Sequence, residues 1–199
     1  MLFRKTALRA AAPVAVLALA LTACGGGDDK KAEDKPKGDS ANSQAKPKEP
    51  SALAAGESTT GKVKEGDATV TYEVAAQKID VGTEAETKKL VSDPKRAKGL
   101  VAATAHVKYT HKGGAPLTDT PDAPDTTEIY ADGTRGGLLI GAAEDAPGCE
   151  DKLDLEGWKK GESHVLCETY LIPAGAKSLE VHWAEKDDAD PVIWKFAAK

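Results

Sequence analysis

"VAATAHVKYT", residues 101–110, alternates Val101, Ala103, Ala105, Val107 and Tyr109 with Thr104, His106, Lys108 and Thr110. A period of two puts one set on each side of an extended chain, so the stretch predicts a half-buried strand of an antiparallel sheet. The same alternation recurs in "TVTYEV" (69–74), "SLEVHWAE" (178–185) and "PVIWKFA" (191–197). "TTEIY" (126–130) and "GLLIG" (137–141) add short strands around Asp132-Gly133, a dipeptide favoured in tight hairpins. "SHVLCETYLI" (163–172) adds a longer strand, ended by Pro173 and Gly175. The one helical candidate is Glu84–Asp93, limited by Pro94, and a loop suits it equally. About seven short strands separated by Gly, Pro and Asp predict an all-β, antiparallel β-sandwich over residues 61–199. No internal repeat is visible.

The composition changes upstream of this domain. Residues 25–60 contain no aromatic, and Leu53 is their only large aliphatic. Lysine and acid nearly balance, and prolines at 36, 47 and 50 oppose a solvated helix. Such a segment cannot bury enough apolar surface to offset its ordering entropy, which predicts a disordered tether over 24–60. As a flexible chain it reaches roughly 30–35 Å.

Further upstream, "MLFRKTALR" is positively charged and "AAAPVAVLALALTA" (10–23) is apolar. At 1.5 Å per residue that run covers only about two-thirds of a 30 Å hydrocarbon core. Basic start, apolar run and small residues, in that order, predict a secretory signal peptide over 1–23. Leu21-Thr22-Ala23-Cys24 follows directly and resembles the lipobox of bacterial lipoproteins. That resemblance implies cleavage between Ala23 and Cys24 and a diacylglyceryl thioether, with chains such as palmitate, on the Cys24 thiol, and leaves open whether the new amine is acylated. Two or three acyl chains anchor stably where one holds marginally. The implied location is the extracytoplasmic side of the cell membrane.

The chain has 199 residues and a net charge of −5, which becomes −8 without residues 1–23, where Arg4, Lys5 and Arg9 meet no acid. Without a basic block beyond a pair, this argues against a nucleic-acid partner. With Cys24 assigned to lipid, Cys149 and Cys167 remain as an even pair in an oxidising compartment and predict a disulfide. Closing a loop of that size is worth about 3 kcal/mol in the chain-entropy picture. Neither cysteine has a second metal ligand at close spacing, so no metal site or cofactor is expected.

Catalytic signals are weak. His106 and His111 differ by an odd number and should face opposite sides of one strand. His106 and His182 fall on expected solvent faces. His164 adjoins Ser163, but "KGESHVL" lacks the elbow motif that exposes a serine nucleophile. "KDDADP" (186–191) lacks the glycine and glutamate of a calcium loop, and it and "TDTPDAPDTTE" (118–128) read as solvated turns. Gly136-Gly137 follows no strand-to-helix pattern, so no phosphate cradle is expected.

"GWKKGESHVLCETYLIPAGAKSLEVHW", Gly157 to Trp183, resembles the closing half of bacterial extracellular lipoprotein domains with immunoglobulin-like folds. The shared pattern is a Gly-Glu turn (Gly161-Glu162), an alternating strand (Val165–Ile172), a Pro-x-Gly loop (Pro173–Gly175) and a strand ending in an aromatic (Leu179–Trp183). "VAATAHVKYTHKGGAPL" resembles an earlier strand and turn of those domains. Lys160 stands where they often carry proline. The resemblance spans about 61–199 and implies an immunoglobulin-like fold more than an activity. The expected function is therefore a membrane-anchored, non-enzymatic binding module for an extracellular protein or small molecule. The alternative is a small-ligand or metal-binding lipoprotein, with a hydrolase assembled from distant residues behind it.

Overall fold

A computed structural model describes residues 52–144, 146–155 and 157–197. The expected signal peptide, Ala23–Cys24 cleavage site, lipid site at Cys24 and most of the expected tether lie outside the described residues. Among the described residues no helix is long and apolar enough to cross a membrane.

The structure is mostly β, in two five-stranded sheets arranged as a sandwich. The strands are β1 (Leu53–Ala54), β2 (Thr59–Glu65), β3 (Ala68–Val81), β4 (Leu100–Gly113), β5 (Glu128–Ala131), β6 (Thr134–Arg135), β7 (Gly137–Leu138), β8 (Ser163–Pro173), β9 (Ser178–Trp183) and β10 (Val192–Ala197). One sheet has the order β1-β10-β9-β5-β6 and the other β2-β3-β4-β8-β7. Among the described residues three of the ten strands, β1, β6 and β7, are two-residue pieces, which leaves seven longer strands. β2, β3 and β4 form an antiparallel meander within one sheet. That order differs from the antibody constant domain, where the third strand crosses to the opposite sheet.

The inward faces follow the alternation read from sequence. Val70, Tyr72, Val74, Ala103, Ala105, Val107 and Tyr109 are buried against Val181, Trp183 and Trp194 of the facing sheet. Aromatics supply much of the buried area: Tyr72 meets Tyr109 edge-on at 6.2 Å, and Tyr109 meets Trp183 at 6.5 Å. The helical candidate is a short helix, α1 (Glu84–Leu90), closed by a capping box from Thr83 and Glu86. At Asp132-Gly133 both residues have positive φ (49° and 78°), the conformation of the expected hairpin.

Three expectations are corrected. First, the sandwich begins before residue 61: β1 pairs in parallel with β10, β2 starts at Thr59, and the Trp194 indole donates to the Glu57 carbonyl at 2.7 Å. β2 was hidden because its inward positions are Gly61, Val63 and Glu65. Gly61 is required, since a Cβ there would lie 2.6 Å from the Trp183 ring. Second, "GLLIG" pairs only at Gly137–Leu138. The chain changes sheets between β6 and β7 at Gly136, where a Cβ would meet Leu171 O at 2.9 Å. Third, the acidic stretch 118–128 is not a simple solvated turn. Pro121, Ala123 and Pro124 are buried, and the Trp183 indole donates to Ala123 O at 2.9 Å.

Glu65 is what seats that last loop. Its buried carboxylate accepts from Tyr72 Oη at 2.8 Å and from the backbone N–H groups of Asp122 (2.6 Å) and Ala123 (3.2 Å). Burial, followed by this carboxylate, raises the Tyr72 phenol well above its ordinary pKa and keeps it a donor. Glu65→Ala strands three donors, and we expect it to cost about 2–4 kcal/mol in denaturant unfolding. A Cm unchanged from the parent chain would show that the carboxylate does not hold the loop.

Candidate functional site

The segment joining β7 to β8 builds a cleft on the surface beside β8. Leu139 N–H donates to Thr169 O at 2.8 Å and Glu150 N–H to Val165 O at 2.9 Å, so the segment lies along β8. The structure places the sulfurs of Cys149 and Cys167 at bonding distance, 2.01 Å. Glu150 closes the far side: its carboxylate accepts from Val165 N–H at 2.9 Å and pairs with His164 Nδ1 at 2.7 Å. Burial pushes the Glu150 carboxyl up, but these two hydrogen bonds outweigh it and hold the group below its usual range. Lys152 pairs with Asp125, tying the segment to the loop before β5.

Between the segment and β8 lies a cleft of about 240 Å³, lined in part by Pro124, Leu138, Ile140, Leu153, Leu166 and Glu168. Its rim is unusually apolar for solvent-facing positions: Ile140 is 89% exposed and Leu153 66%. Glu168 lies in the wall, where burial pushes its pKa up to about 7; Lys152 opposes this and Asp125 adds to it. Asp125, Glu144, Glu150 and Asp151 also line the cleft, against Lys152 as the single cation among the described residues of the lining. The result is an acidic cleft with an apolar lip and one carboxyl poised to change charge near neutral pH.

The four histidines do not converge. His111 faces inward as the alternation requires; its Nε2 contacts Ala115 O at 3.0 Å, and its buried Nδ1 has no partner among the described residues. His182 lies on the outer face of the other sheet, paired with Glu180 at 2.9 Å and stacked on Tyr130 at 4.0 Å. His164 packs edge-on against Trp158 at 4.8 Å. The Ser163 hydroxyl bonds Thr110 at 2.8 Å rather than His164, so no serine–histidine pair forms.

His106 corrects the expectation of a solvent face. It does point outward, but the Cys149 segment covers it and it is only 2% exposed. Its Nδ1 lies 3.6 Å from Cys149 Sγ and 3.4 Å from Cys167 Sγ, and its Nε2 lies 2.9 Å from Asp80 Oδ2. Among the described residues, His106, Cys149 and Cys167 are the one group of three potential ligands within 4.8 Å of one another. The aspartates of 186–191 and 118–128 form no such group among the described residues. Spacing along the chain concealed His106, because it meets Cys167 only through strand pairing.

No family model matches the chain, and no curated protein matches it. A solved structure of a provisionally named lipoprotein from Staphylococcus aureus subsp. aureus has 12% identity and a TM-score of 0.44, covering 71% of this chain and 93% of that one. That likeness is too distant to bear on what this chain does.

Glu168 makes stability pH-dependent in a defined sense. The folded chain holds this proton up to about pH 7, whereas the unfolded carboxyl releases it near the ordinary 4.5. Between those values the folded state binds more protons, so this contribution is complete below pH 4.5 and is lost as pH rises through 7. In urea titrations at pH 5 and pH 8, we expect Glu168→Gln to flatten the decline of the parent chain. An identical decline in both would place the buried charge elsewhere.

Proposed function

We propose that this chain is a membrane-anchored surface lipoprotein whose immunoglobulin-like β-sandwich is a non-enzymatic binding module. The cleft beside β8 takes a ligand that carries positive charge next to an apolar group. One observation carries this reading: exposed Ile140 and Leu153 flank a cleft whose charged lining is acidic apart from Lys152. Exposed large aliphatics rimmed by polar groups mark interaction surfaces. The carboxylates supply charge complementarity, which favours fast and selective encounter with cations. The separated histidines and the Ser163–Thr110 bond support binding over hydrolysis.

The anchor rests on Leu21-Thr22-Ala23-Cys24, and the flexible composition of the segment behind it lets the module stand off the membrane. Cys24→Ala is expected to leave an uncleaved precursor or to release the protein from membrane fractions. A processed mutant that stays with the membrane overturns the anchor.

The ligand class is tested with the full chain and a fluorescent Lys/Leu peptide, using a Glu/Leu peptide of equal length as control. Binding of the cationic peptide alone, weakened about 5–10-fold by Glu168→Gln and by Ile140→Ser, is the expected result, each change corresponding to the loss of one polar or apolar contact. Equal binding of both peptides, or affinity indifferent to both substitutions, overturns it.

A further inference from the structure

The outer face of the β3–β4–β8 sheet carries a second constellation, separate in chemistry from the acidic cleft. His106 stands directly opposite Cys167 in the β4–β8 register and opposite Lys78 in the β3–β4 register. The pairing of β3 with β4 shifts between Ala76 and Lys78. That bulge changes which residues of β3 face inward. Before it Val74 and Ala76 point to the core; after it Ile79 lies opposite Ala105 and Asp80 opposite Thr104. Without the extra residue Asp80 would point inward. The bulge therefore delivers a carboxylate to the imidazole, as bulges beside functional sites commonly do.

We propose that reduction of the Cys149–Cys167 disulfide opens a two-cysteine, one-histidine site for zinc(II), with Asp80 as the residue that positions His106. In the tautomer in which Nε2–H donates to Asp80, Nδ1 carries the lone pair and lies toward both sulfurs; the Gly148 backbone also hydrogen-bonds the ring. A carboxylate behind a histidine ligand is the usual outer partner of zinc sites, where it fixes the tautomer and ring orientation. Zinc bonds of about 2.3 Å to sulfur and about 2.0 Å to nitrogen, at tetrahedral angles, place a nitrogen and a sulfur about 3.5 Å apart. The two Nδ1–sulfur distances are 3.4 and 3.6 Å. Only the two sulfurs have to separate, to about 3.8 Å by the same geometry. Cys167 is held mid-strand, while Cys149 sits in a loop after Gly148, whose φ is +84°, so Cys149 is the one that moves. Three protein ligands leave a fourth position for water.

The chemistry balances with a small thiol as reductant. The protein disulfide bond breaks as two such thiols are oxidised to one disulfide, leaving two protein thiols. Zinc(II) then replaces the two thiol protons, which pass to solvent, and the neutral imidazole contributes its lone pair. An excess of the small disulfide reverses the sequence: it is reduced to two small thiols, taking two protons from solvent, as the protein disulfide re-forms and the metal is expelled, so occupancy reports the redox state.

The test uses the full chain carrying Cys24→Ala, which leaves Cys149 and Cys167 as its only thiols. Zinc(II) binding is measured against a chromophoric chelator before and after reduction. One equivalent bound by the reduced chain, none by the oxidised chain and release on reoxidation are expected. Asp80→Asn should weaken binding about 10–100-fold, and His106→Ala should weaken it further. Equal binding by oxidised and reduced chains, or unchanged affinity in either variant, overturns the proposal. A reduced chain that lost its fold would bind through free thiols alone and would give that second, overturning result.

Discussion

Strand β8 pairs along all eleven of its residues with β4, from Ser163 opposite Thr110 to Pro173 opposite Leu100. This register is the constraint on which both faces of the larger sheet depend. On the inner face it sets Leu166, Tyr170 and Ile172 opposite Val107, Ala103 and Val101, all members of the core. On the outer face it sets Cys167 beside His106 and Thr169 beside Thr104, whose hydroxyls bond at 2.8 Å. A slip of one residue would turn Leu166, Tyr170 and Ile172 to the outside, so burial of the inner face specifies the outer one as well. The β7–β8 segment can then reach its place only where Cys167 emerges.

Buried polar groups finish what the apolar alternation begins. Tyr109 and Tyr170 both reach Thr127, one through its hydroxyl at 2.7 Å and the other through its carbonyl at 2.9 Å. Glu65 and the Trp183 indole clasp the loop before β5 from opposite sheets. Each of these would be costly if left unpaired, which ties the loops to the sheets as firmly as apolar contact does. Glu168, by contrast, has burial without comparable partners, and its carboxyl accordingly stays protonated to higher pH. The buried hydroxyls, indole and carboxylate named above are therefore satisfied, and the cleft is poised.

Much of the sandwich was legible in the sequence because period-two alternation is a local signal. The inward sets of Val70 to Val74, Val101 to Tyr109 and Leu179 to Trp183 lie where the alternation puts them. β2 escaped because its inward side carries a glycine shaped by Trp183 and a carboxylate shaped by Tyr72, partners that are distant in the chain. The stretch 118–128 looked solvated for the same reason: its acids remain outside, but Ala123 and Pro124 close one end of the core. The bulge in β3 did leave a trace, since the apolar positions move from even numbers through Ala76 to odd numbers at Ile79 and Val81.

What the sequence determined by itself was the class of the fold, the pairing partners available to Cys149 and Cys167, and a resemblance to a lipobox that rests on four adjacent residues. These are properties of neighbours along the chain, and periodicity or composition reports them directly. Only the tertiary structure decided that His106 is covered, that Asp80 stands behind it, and that Ile140, Leu153 and Glu168 share one cleft. Those side chains come together through strand register, a bulge and a folded-back segment. Contacts of that kind join residues tens of positions apart, and no local pattern encodes which of them will meet.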